Sequence, residues 1–186
     1  MRHAPTTATR AAAFPADEAL DAPGLAAATT LRDTLGSSAR SRALCSPARR
    51  CLQTAAALGL PDPVVDPALA ECDFGSWRGR TSADIHAEQP DASAAWMTDP
   101  DAAPHGGESL TVFAARVRTW LDAQTTLDGR AIAITHGGVV KAAVAHALGA
   151  PLAAFWRIDV TPLAVTELHA HHGRWTVTRV NCGAGR

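Results

Sequence analysis

Apolar and polar positions follow one another along the chain in patterns that predict helices and strands in alternation. Residues 25–35 form an alanine-rich amphipathic stretch, and this period predicts a helix. Residues 42–45 predict a short strand, and residues 64–65 predict a second, briefer one. The first third of the chain is therefore expected to fold as helical and extended segments in turn.

A helix is expected directly after the strand at residues 42–45. Ser46 stands where a side-chain oxygen can cap this helix, and Pro47 fits its first turn. The apolar pattern continues to Leu58 and stops at Gly59, a residue type that commonly ends helices. The sequence thus predicts a strand–helix unit with Ser46 as the cap.

The middle of the chain predicts a loop-rich region followed by a longer helix. Residues 69–107 contain many glycines and prolines, which favour short helices joined by loops. Ser109 is expected to cap the longer helix after them. The apolar face of that helix consists of Phe113, Val117, Trp120 and Leu121.

The last third of the chain completes the prediction of the fold class. Residues 131–135 are a continuous apolar run that predicts a strand buried on both faces, and residues 139–148 predict the next helix. Residues 163–170 and 174–180 predict an antiparallel hairpin that turns at residues 171–173. This order predicts an α/β fold: a three-layer α/β/α sandwich with a mostly parallel central sheet and an antiparallel edge.

Length and charge narrow the class of protein. The chain has 186 residues, 47% of them hydrophobic, and a formal net charge of −1. That length suits one domain, which we expect to span residues 1–186. The balanced charge argues against a nucleic-acid or membrane partner, and the apolar runs are shorter than the roughly 20 residues of a membrane span.

The cysteines and the start of the chain predict a cellular compartment. The cysteines, none of them in a CxxC pair, are Cys45, Cys51, Cys72 and Cys182. No apolar segment follows Met1, so no signal peptide is expected. Both observations favour a reduced, cytoplasmic protein.

Basic side chains stand near the expected carboxyl ends of strands. Arg2 and His3 lie at the start of the chain, Arg50 lies in the first turn of a predicted helix, and His136 precedes two glycines after a predicted strand. Ligands of α/β sheets bind at this edge, where helix N-termini converge. Two guanidinium groups, two imidazoles and free backbone N–H groups predict a pocket for a tetrahedral dianion.

Five short motifs with these residues occur in a characteristic order. Arg-His-Ala stands at residues 2–4, and Ser-Pro-x-x-Arg-x-x-Gln-Thr-Ala at residues 46–55. Leu-x-Glu-x-x-x-Gly-x-Trp-x-Gly fills residues 69–79, Gly-Glu-Ser fills residues 107–109, and His-Gly-Gly fills residues 136–138. Together these motifs cover nearly the whole chain, which resembles the histidine phosphatase superfamily, also called the phosphoglycerate mutase-like family.

The resemblance implies phosphate-ester chemistry through a phosphohistidine. His3 would be the nucleophile, and Glu71 would protonate the leaving alcohol and then deprotonate water. The groups that would hold the phosphoryl oxygens are Arg2, Arg50, His136 and Gly137. The nearby arginines are expected to disfavour the imidazolium form of His3. No metal or other cofactor is implied, because the guanidinium groups supply the positive charge.

Within the superfamily, Arg-His-Ala-Pro at residues 2–5 and Pro-His-Gly-Gly-Glu-Ser at residues 104–109 resemble the α-ribazole phosphatase group of the phosphatase branch. The motif around Glu71 separates it from the shortest phosphohistidine phosphatases, and its compact length separates it from the phosphoglycerate mutases. We expect a metal-independent phosphomonoesterase for a small phosphorylated metabolite, with α-ribazole phosphate as a candidate. The alternatives are mutase-type phosphoryl transfer and a family member that binds phosphorylated ligands with weak catalysis.

Two positions depart from the family pattern. The family carries apolar strand residues before Arg-His, whereas Met1 directly precedes Arg2 here. An upstream start, a shortened chain or a frayed terminus at His3 would each account for this. The usual Trp-Glu-Gly reads Trp77-Arg78-Gly79, and Arg78 is expected either to face solvent or to add positive charge at the pocket mouth.

Two further features allow other interpretations. Trp77 and Trp96 could stack on an aromatic leaving group, although buried packing is the favoured explanation for both. A metal-binding module is a different class of function. Its candidate ligands would be His169, His171, His172 and Cys182. No companion pair with ligand spacing accompanies them, so the sequence favours a protein without a metal site.

Overall fold

Helices and strands alternate along the computed structural model, which describes residues 1–32, 41–60 and 62–183. The strands are β1 (Ser41–Cys45), β2 (Val64–Val65), β3 (Arg130–Ile134), β4 (Val165–His171) and β5 (Arg174–Cys182). The α-helices are α1 (Thr7–Arg10), α2 (Ala22–Leu31), α3 (Arg49–Ala57), α4 (Ser82–Glu88), α5 (Pro90–Thr98), α6 (Leu110–Gln124) and α7 (Gly137–Ala147). Short 3-10 turns occupy Pro67–Leu69, Gly75–Trp77 and Leu152–Arg157.

The central sheet is parallel and has the strand order β2-β1-β3. Leu44 of β1 pairs with Val64 on one side and with Ala133 on the other. Strands β4 and β5 pair antiparallel, as the sequence predicts, and form a two-stranded sheet of their own. The α/β fold class is confirmed.

The first residues of the chain are tied to the end of β3. The backbone N–H of His3 donates to the Thr135 carbonyl at 2.8 Å, and the Thr135 N–H donates to the Met1 carbonyl at 2.9 Å. The Arg2 N–H donates to the Ala164 carbonyl at 3.2 Å. His3 is therefore held by backbone bonds on both sides, and the frayed terminus considered from the sequence does not occur.

Most predicted elements are present with shifted ends. The helix predicted at residues 25–35 is α2, and residues 33–35 of that prediction lie outside the described residues. The strand predicted to be buried on both faces is β3, which is buried at Ile134 but exposed at Arg130 and Ala131. In the described part of the chain, β3 pairs with β1 along one side and meets only the Arg2 bridge on the other. This edge position explains its exposure.

The cap of α3 differs from the prediction. The N-cap residue is Ala48, which makes no side-chain cap bond, and Pro47 lies before the first helical residue, Arg49. The Ser46 hydroxyl lies 2.7 Å from Nε2 of His136 and accepts only a long bond of 3.3 Å from the Ala48 N–H. The hydroxyl thus serves a residue 90 positions away, a contact that local sequence cannot reveal.

Helix α6 and the aromatic residues before it form the largest part of the core. Ser109 caps α6 by accepting from the Val112 N–H at 3.2 Å, as predicted. Trp77 and Trp96 are 1% and 5% exposed and pack edge to face, which confirms the packing interpretation. Burial of each large apolar side chain contributes roughly 1.5–3 kcal/mol. Among the described helices, none is both long and apolar enough to cross a bilayer.

Candidate active site

The ends of β1 and β3 bring the predicted basic residues together. Arg50 lies in the first turn of α3, just after β1, and His136 is the N-cap residue of α7, just after β3. His3 follows the backbone bridge of Arg2 to Thr135. His3, Arg50 and His136 are 5%, 2% and 0% exposed. Three residues from distant parts of the sequence thus share one buried site.

Arg50 contacts both imidazole rings. Its Nε donates to Nε2 of His3 at 3.2 Å, and its Nη2 donates to Nδ1 of His136 at 3.1 Å. Because a guanidinium group only donates, both of these ring nitrogens are acceptors. The ring centroids of His3 and His136 lie 5.2 Å apart. One planar fork therefore fixes the orientation of both rings.

The contacts of His3 select one neutral tautomer. Since Nε2 accepts from Arg50, the proton is on Nδ1, which donates to the Ala4 carbonyl at 2.7 Å. Burial is the main cause that lowers the pKa of His3 from 6.5 to about 3; the charges of Arg50 and Arg2 add to it, and the bond to Ala4 opposes it. His3 is therefore neutral at pH 7, with a lone pair on Nε2. From the sequence, only the charges of the arginines could be identified as a cause of this lowered pKa.

His136 has the opposite tautomer. Its Nδ1 accepts from Arg50, so Nε2 carries the proton and donates to the Ser46 hydroxyl at 2.7 Å. Burial, followed by the charge of Arg50, lowers the pKa of His136 well below its usual value. The Cys51 sulfur packs 3.5 Å from the same Nε2. His136 is thus a neutral ring held between Arg50 and Ser46.

The Nη1 atom of Arg50 contacts a carbonyl and a carboxylate that the sequence did not indicate. Its Nη1 donates to the Ala16 carbonyl at 2.8 Å and lies 3.7 Å from a Glu18 carboxylate oxygen. The Thr6 hydroxyl donates to the same Glu18 oxygen at 3.1 Å. Glu18 stands in an irregular segment, where a single carboxylate gives no sequence signal. Only the fold places it against Arg50.

Arg2 lies beside the N-terminus of α7. Its Nη1 donates to the Val160 carbonyl, while its Nε is buried without a hydrogen-bond partner among the described residues. A β-carbon on Gly137 would stand 3.5 Å from that Nε. Because buried donors are normally paired, an unpartnered one beside a helix N-terminus suits an anion.

Glu71 is hydrogen-bonded to the first turn of α7. One carboxylate oxygen accepts from the Gly138 N–H at 3.2 Å, and the other accepts from the Cys72 N–H at 3.1 Å. Burial raises the pKa of Glu71, although these two bonds and the nearby arginines oppose the rise. A β-carbon on Gly138 would collide with the carboxylate. The Gly138 N–H, which the sequence offered to a ligand, serves Glu71 instead.

A pocket of about 570 Å³ opens beside Arg50 and Glu71. Other charged residues that line it are Asp17, Asp73, Arg78, Glu108 and Arg116. The Arg78 side chain is 56% exposed and pairs with Asp73 at 2.8 Å. Arg78 therefore faces solvent and also lines the pocket. The sequence offered these two positions as alternatives, and the structure combines them.

The histidines that were weighed as metal ligands, and not favoured, lie on the β4–β5 hairpin. His169 is 61% exposed and lies 3.5 Å from a Glu167 oxygen, while the rings of His171 and His172 touch each other. In the residues that the structure describes, no three His, Cys, Asp or Glu side chains are close enough together to hold a metal ion. The four cysteines are free thiols.

Known proteins of similar sequence include phosphatases. The chain is 38% identical over 116 residues to a glucosyl-3-phosphoglycerate phosphatase of Mycolicibacterium vanbaalenii, and the match covers 56% of this chain and 52% of that protein. The match thus spans about half of that relative. The chain is 32% identical over 170 residues to an adenosylcobalamin/alpha-ribazole phosphatase of Salmonella typhimurium, covering 86% of this chain and 83% of that protein.

A solved structure agrees over nearly the whole chain. A mycobacterial glucosyl-3-phosphoglycerate phosphatase in a complex with VO3 superposes with a TM-score of 0.86 and 29% identity, covering 98% of this chain and 96% of that one. A family model for the histidine phosphatase superfamily (branch 1) matches residues 1–183. The resemblance drawn from the motifs is therefore confirmed: the chain belongs to the histidine phosphatase superfamily.

Proposed function

We propose that this chain is a metal-independent phosphomonoesterase that hydrolyses a small phosphorylated metabolite through a phosphohistidine on His3. The observation that carries the proposal is the double contact of Arg50 with His3 and His136. It supports the proposal because a neutral imidazole and a cationic guanidinium group share one buried site. Phosphoryl transfer depends mainly on such positioning and on charge stabilisation.

In the first step, Nε2 of His3 attacks the phosphorus atom. As the substrate binds, the Arg50 Nε–H turns from this nitrogen to a phosphoryl oxygen, which frees the lone pair. The N–P bond forms while the P–O ester bond breaks, and the electron pair of that bond goes to the leaving oxygen. The product of this step is phosphorylated His3 and the departing alkoxide.

Glu71 supplies and recovers the proton. Burial raises the pKa of Glu71, so this carboxyl group holds a proton, as a general acid must, more readily than an exposed carboxyl group does. The leaving oxygen takes this proton and departs as the alcohol. Glu71 then accepts a proton from a water molecule that attacks phosphorus, and the N–P electron pair returns to His3. Acid–base help of this kind contributes typically about 10²–10⁴ in rate.

Two guanidinium groups and two neutral groups stabilise the charge that is shared among the phosphoryl oxygens. We assign the cationic role to Arg2 and Arg50, and the neutral role to the His136 ring and the Gly137 N–H. The unpartnered Arg2 Nε and the N-terminus of α7 lie together, which supports the assignment. Removal of one such donor typically costs about 2.7–4 kcal/mol of transition-state stabilisation.

The named relatives agree on the type of reaction but differ in the substrate on which they act. Their names specify phosphatases, which supports hydrolysis over the mutase alternative. α-Ribazole phosphate stays a candidate substrate, and glucosyl-3-phosphoglycerate is a second one. We further propose one catalytic domain over residues 1–186 in a reducing cytoplasm, which the free thiols fit.

Phosphate release from 4-nitrophenyl phosphate in EDTA tests the proposal. We expect the wild-type chain to retain its activity in EDTA and the His3→Ala variant to lose it. The Arg49→Ala variant, altered at an exposed neighbour of Arg50, is the matched control. A folded wild-type chain that binds inorganic phosphate without turnover would instead support the binding-only alternative, and loss of activity in EDTA would indicate a metal.

A further inference from the structure

Arg78 is a pocket residue with spare hydrogen-bond donors. Its Nη2 donates to an Asp73 oxygen at 2.8 Å. Within the described part of the chain, its Nε and Nη1 have no hydrogen-bond partner, and its side chain is 56% exposed. These donors stay available to a molecule in the pocket beside Arg50 and Glu71.

Arg116 lines the same pocket, but each of its guanidinium nitrogens already donates a hydrogen bond to another residue. Its Nε and Nη2 donate to the two Glu108 oxygens at 2.9 and 2.7 Å. Its Nη1 donates to the carbonyls of Ala68 and Ala70 at 2.9 and 3.0 Å. Because Arg50 serves the phosphoryl site, Arg78 is the described pocket arginine that is left to contact the rest of a substrate.

The anchor of Arg78 is fixed close to the proposed acid. The Asp73 oxygen that pairs with Arg78 also accepts from the Gly75 N–H at 2.8 Å, and the Asp73 N–H donates to Glu108 at 3.0 Å. Asp73 follows Glu71 by two residues, so their Cα atoms are at most about 7 Å apart. Since Glu71 protonates the leaving oxygen, Arg78 stands on the leaving-group side of the site.

The remaining walls fit an aliphatic leaving group. The small residues that line the pocket are Pro15, Ala16, Pro47, Ala48, Pro67, Ala70 and Cys72. Among the described lining residues, none is aromatic. Trp77 and Trp96, which could have stacked on a flat base, are buried in the core. The described pocket therefore holds no aromatic ring on which a flat base could stack.

We propose that Arg78 is a specificity residue that binds an anionic group, a carboxylate or a second phosphate, on an aliphatic leaving group. This inference rests on the phosphatase function proposed above and names its substrate class. The guanidinium fork matches the oxygens of either anion. The family motif carries Glu at this position, so the change to Arg78 reverses the charge that such a group meets.

Matched pairs of phosphate esters test the proposal by hydrolysis. The first pair is 3-phosphoglycerate and glycerol 3-phosphate, which differ by a carboxylate in place of a hydroxymethyl group. The second pair is fructose 1,6-bisphosphate and fructose 6-phosphate, which differ by a phosphate. We expect kcat/KM to favour the anionic member of at least one pair by about tenfold, the size of one charge-assisted hydrogen bond. The pair that shows the preference identifies the anion.

The variants isolate Arg78. Arg78→Gln is expected to reduce the preference to below about twofold, while hydrolysis of the less charged member stays within about twofold. Arg10→Gln is the matched control, because Arg10 is 52% exposed, pairs with a single carboxylate (Asp21) and does not line the pocket. An equal effect of both variants, or no preference in the wild-type chain, would overturn the proposal.

Calorimetric binding separates this inference from the phosphatase function. The His3→Ala variant, which cannot turn over, is titrated with the same four esters, with and without Arg78→Gln. Tighter binding of an anionic member that disappears with Arg78→Gln supports the inference even where hydrolysis is absent and the phosphatase proposal has failed. Hydrolysis without any Arg78-dependent preference contradicts the inference alone. Failure of all four esters to bind contradicts the inference, whereas the phosphatase proposal is decided by hydrolysis of 4-nitrophenyl phosphate in EDTA.

Discussion

Arg50 donates a hydrogen bond to Nε2 of His3, the atom that attacks phosphorus in the proposed reaction. The bond is 3.2 Å long, and the same guanidinium group reaches His136 at 3.1 Å. Attack by this nitrogen therefore requires the Arg50 Nε–H to leave it for a phosphoryl oxygen. The residue that orients the nucleophile also delivers the positive charge, so binding and activation of the nucleophile are coupled.

Replacement of Arg50 by Lys tests this double role. Lys keeps the charge but lacks the planar fork that contacts both rings. We expect Arg50→Lys to lower kcat/KM by about 10²–10³, the usual result of losing one transition-state donor. Arg49→Lys makes the same exchange at the exposed neighbouring position and should stay close to wild type. Near wild-type activity of Arg50→Lys would show that the charge alone suffices.

The lowered pKa of His3 predicts a pH dependence of stability. Between the unfolded pKa near 6.5 and the folded pKa of about 3, the unfolded chain binds a proton at His3 that the native chain does not. The free energy of unfolding therefore falls as pH decreases through this range, by up to about 1.4 kcal/mol per pH unit. His3→Gln removes this contribution, so the variant should gain stability relative to wild type as pH falls.

Urea unfolding of both proteins between about pH 4 and pH 6 measures that difference. The titrating groups that lie away from the His3, Arg50 and His136 cluster are present in both chains and cancel. His169→Gln, which changes a largely exposed histidine, is the matched control. A difference between His3→Gln and wild type that does not change with pH would mean that His3 titrates normally in the folded protein.

The residues that converge at the site were predictable because of where they stand along the chain. Arg50 and His136 each follow a strand of a parallel sheet, and such strands end at the same edge. Glu18 and Ser46 were not predictable in their observed roles. Glu18 reaches Arg50 from a segment without periodic structure, and Ser46 looks locally like a helix cap. Their contacts depend on packing between distant segments.

In the fold as well, features that depend on nearby residues were predicted, whereas features that depend on distant segments were not. The hairpin around Gly173 and the cap at Ser109 depend on nearby residues, and both were predicted correctly. The exposure of Ala131 was missed, because an apolar run does not reveal how many strands lie beside it. The path of Met1 beside Thr135 likewise required the assembled sheet.

The close approach of Gly138 to Glu71 predicts a sensitive glycine. A methyl group at Gly138 would collide with the carboxylate and press on the Phe113 ring at 3.2 Å. We expect Gly138→Ala to displace Glu71 and to lower kcat by about 10²-fold or more, in line with a lost general acid. Gly183→Ala, where a β-carbon would have no described atom within 4 Å, is the control. Equal activity of the two variants would show that the position of Glu71 does not depend on Gly138.

The role of Glu71 predicts a dependence on the leaving group. Glu71→Gln cannot deliver a proton, which matters most where the departing oxygen is strongly basic. We expect hydrolysis of an alkyl phosphate to slow by about 10²–10⁴, and hydrolysis of 4-nitrophenyl phosphate to slow much less. Steady-state kinetics with both esters measure the two losses. An unchanged rate for the alkyl ester would show that another group is the acid.

Detection of the covalent intermediate tests the central claim most directly. The wild-type chain is mixed with 4-nitrophenyl phosphate, quenched within the first turnover under alkaline conditions that preserve phosphohistidine, and digested for mass spectrometry. The account predicts one added phosphoryl group on His3, absent from His3→Ala. Turnover with an unmodified His3, or with the phosphoryl group on another residue, would contradict it.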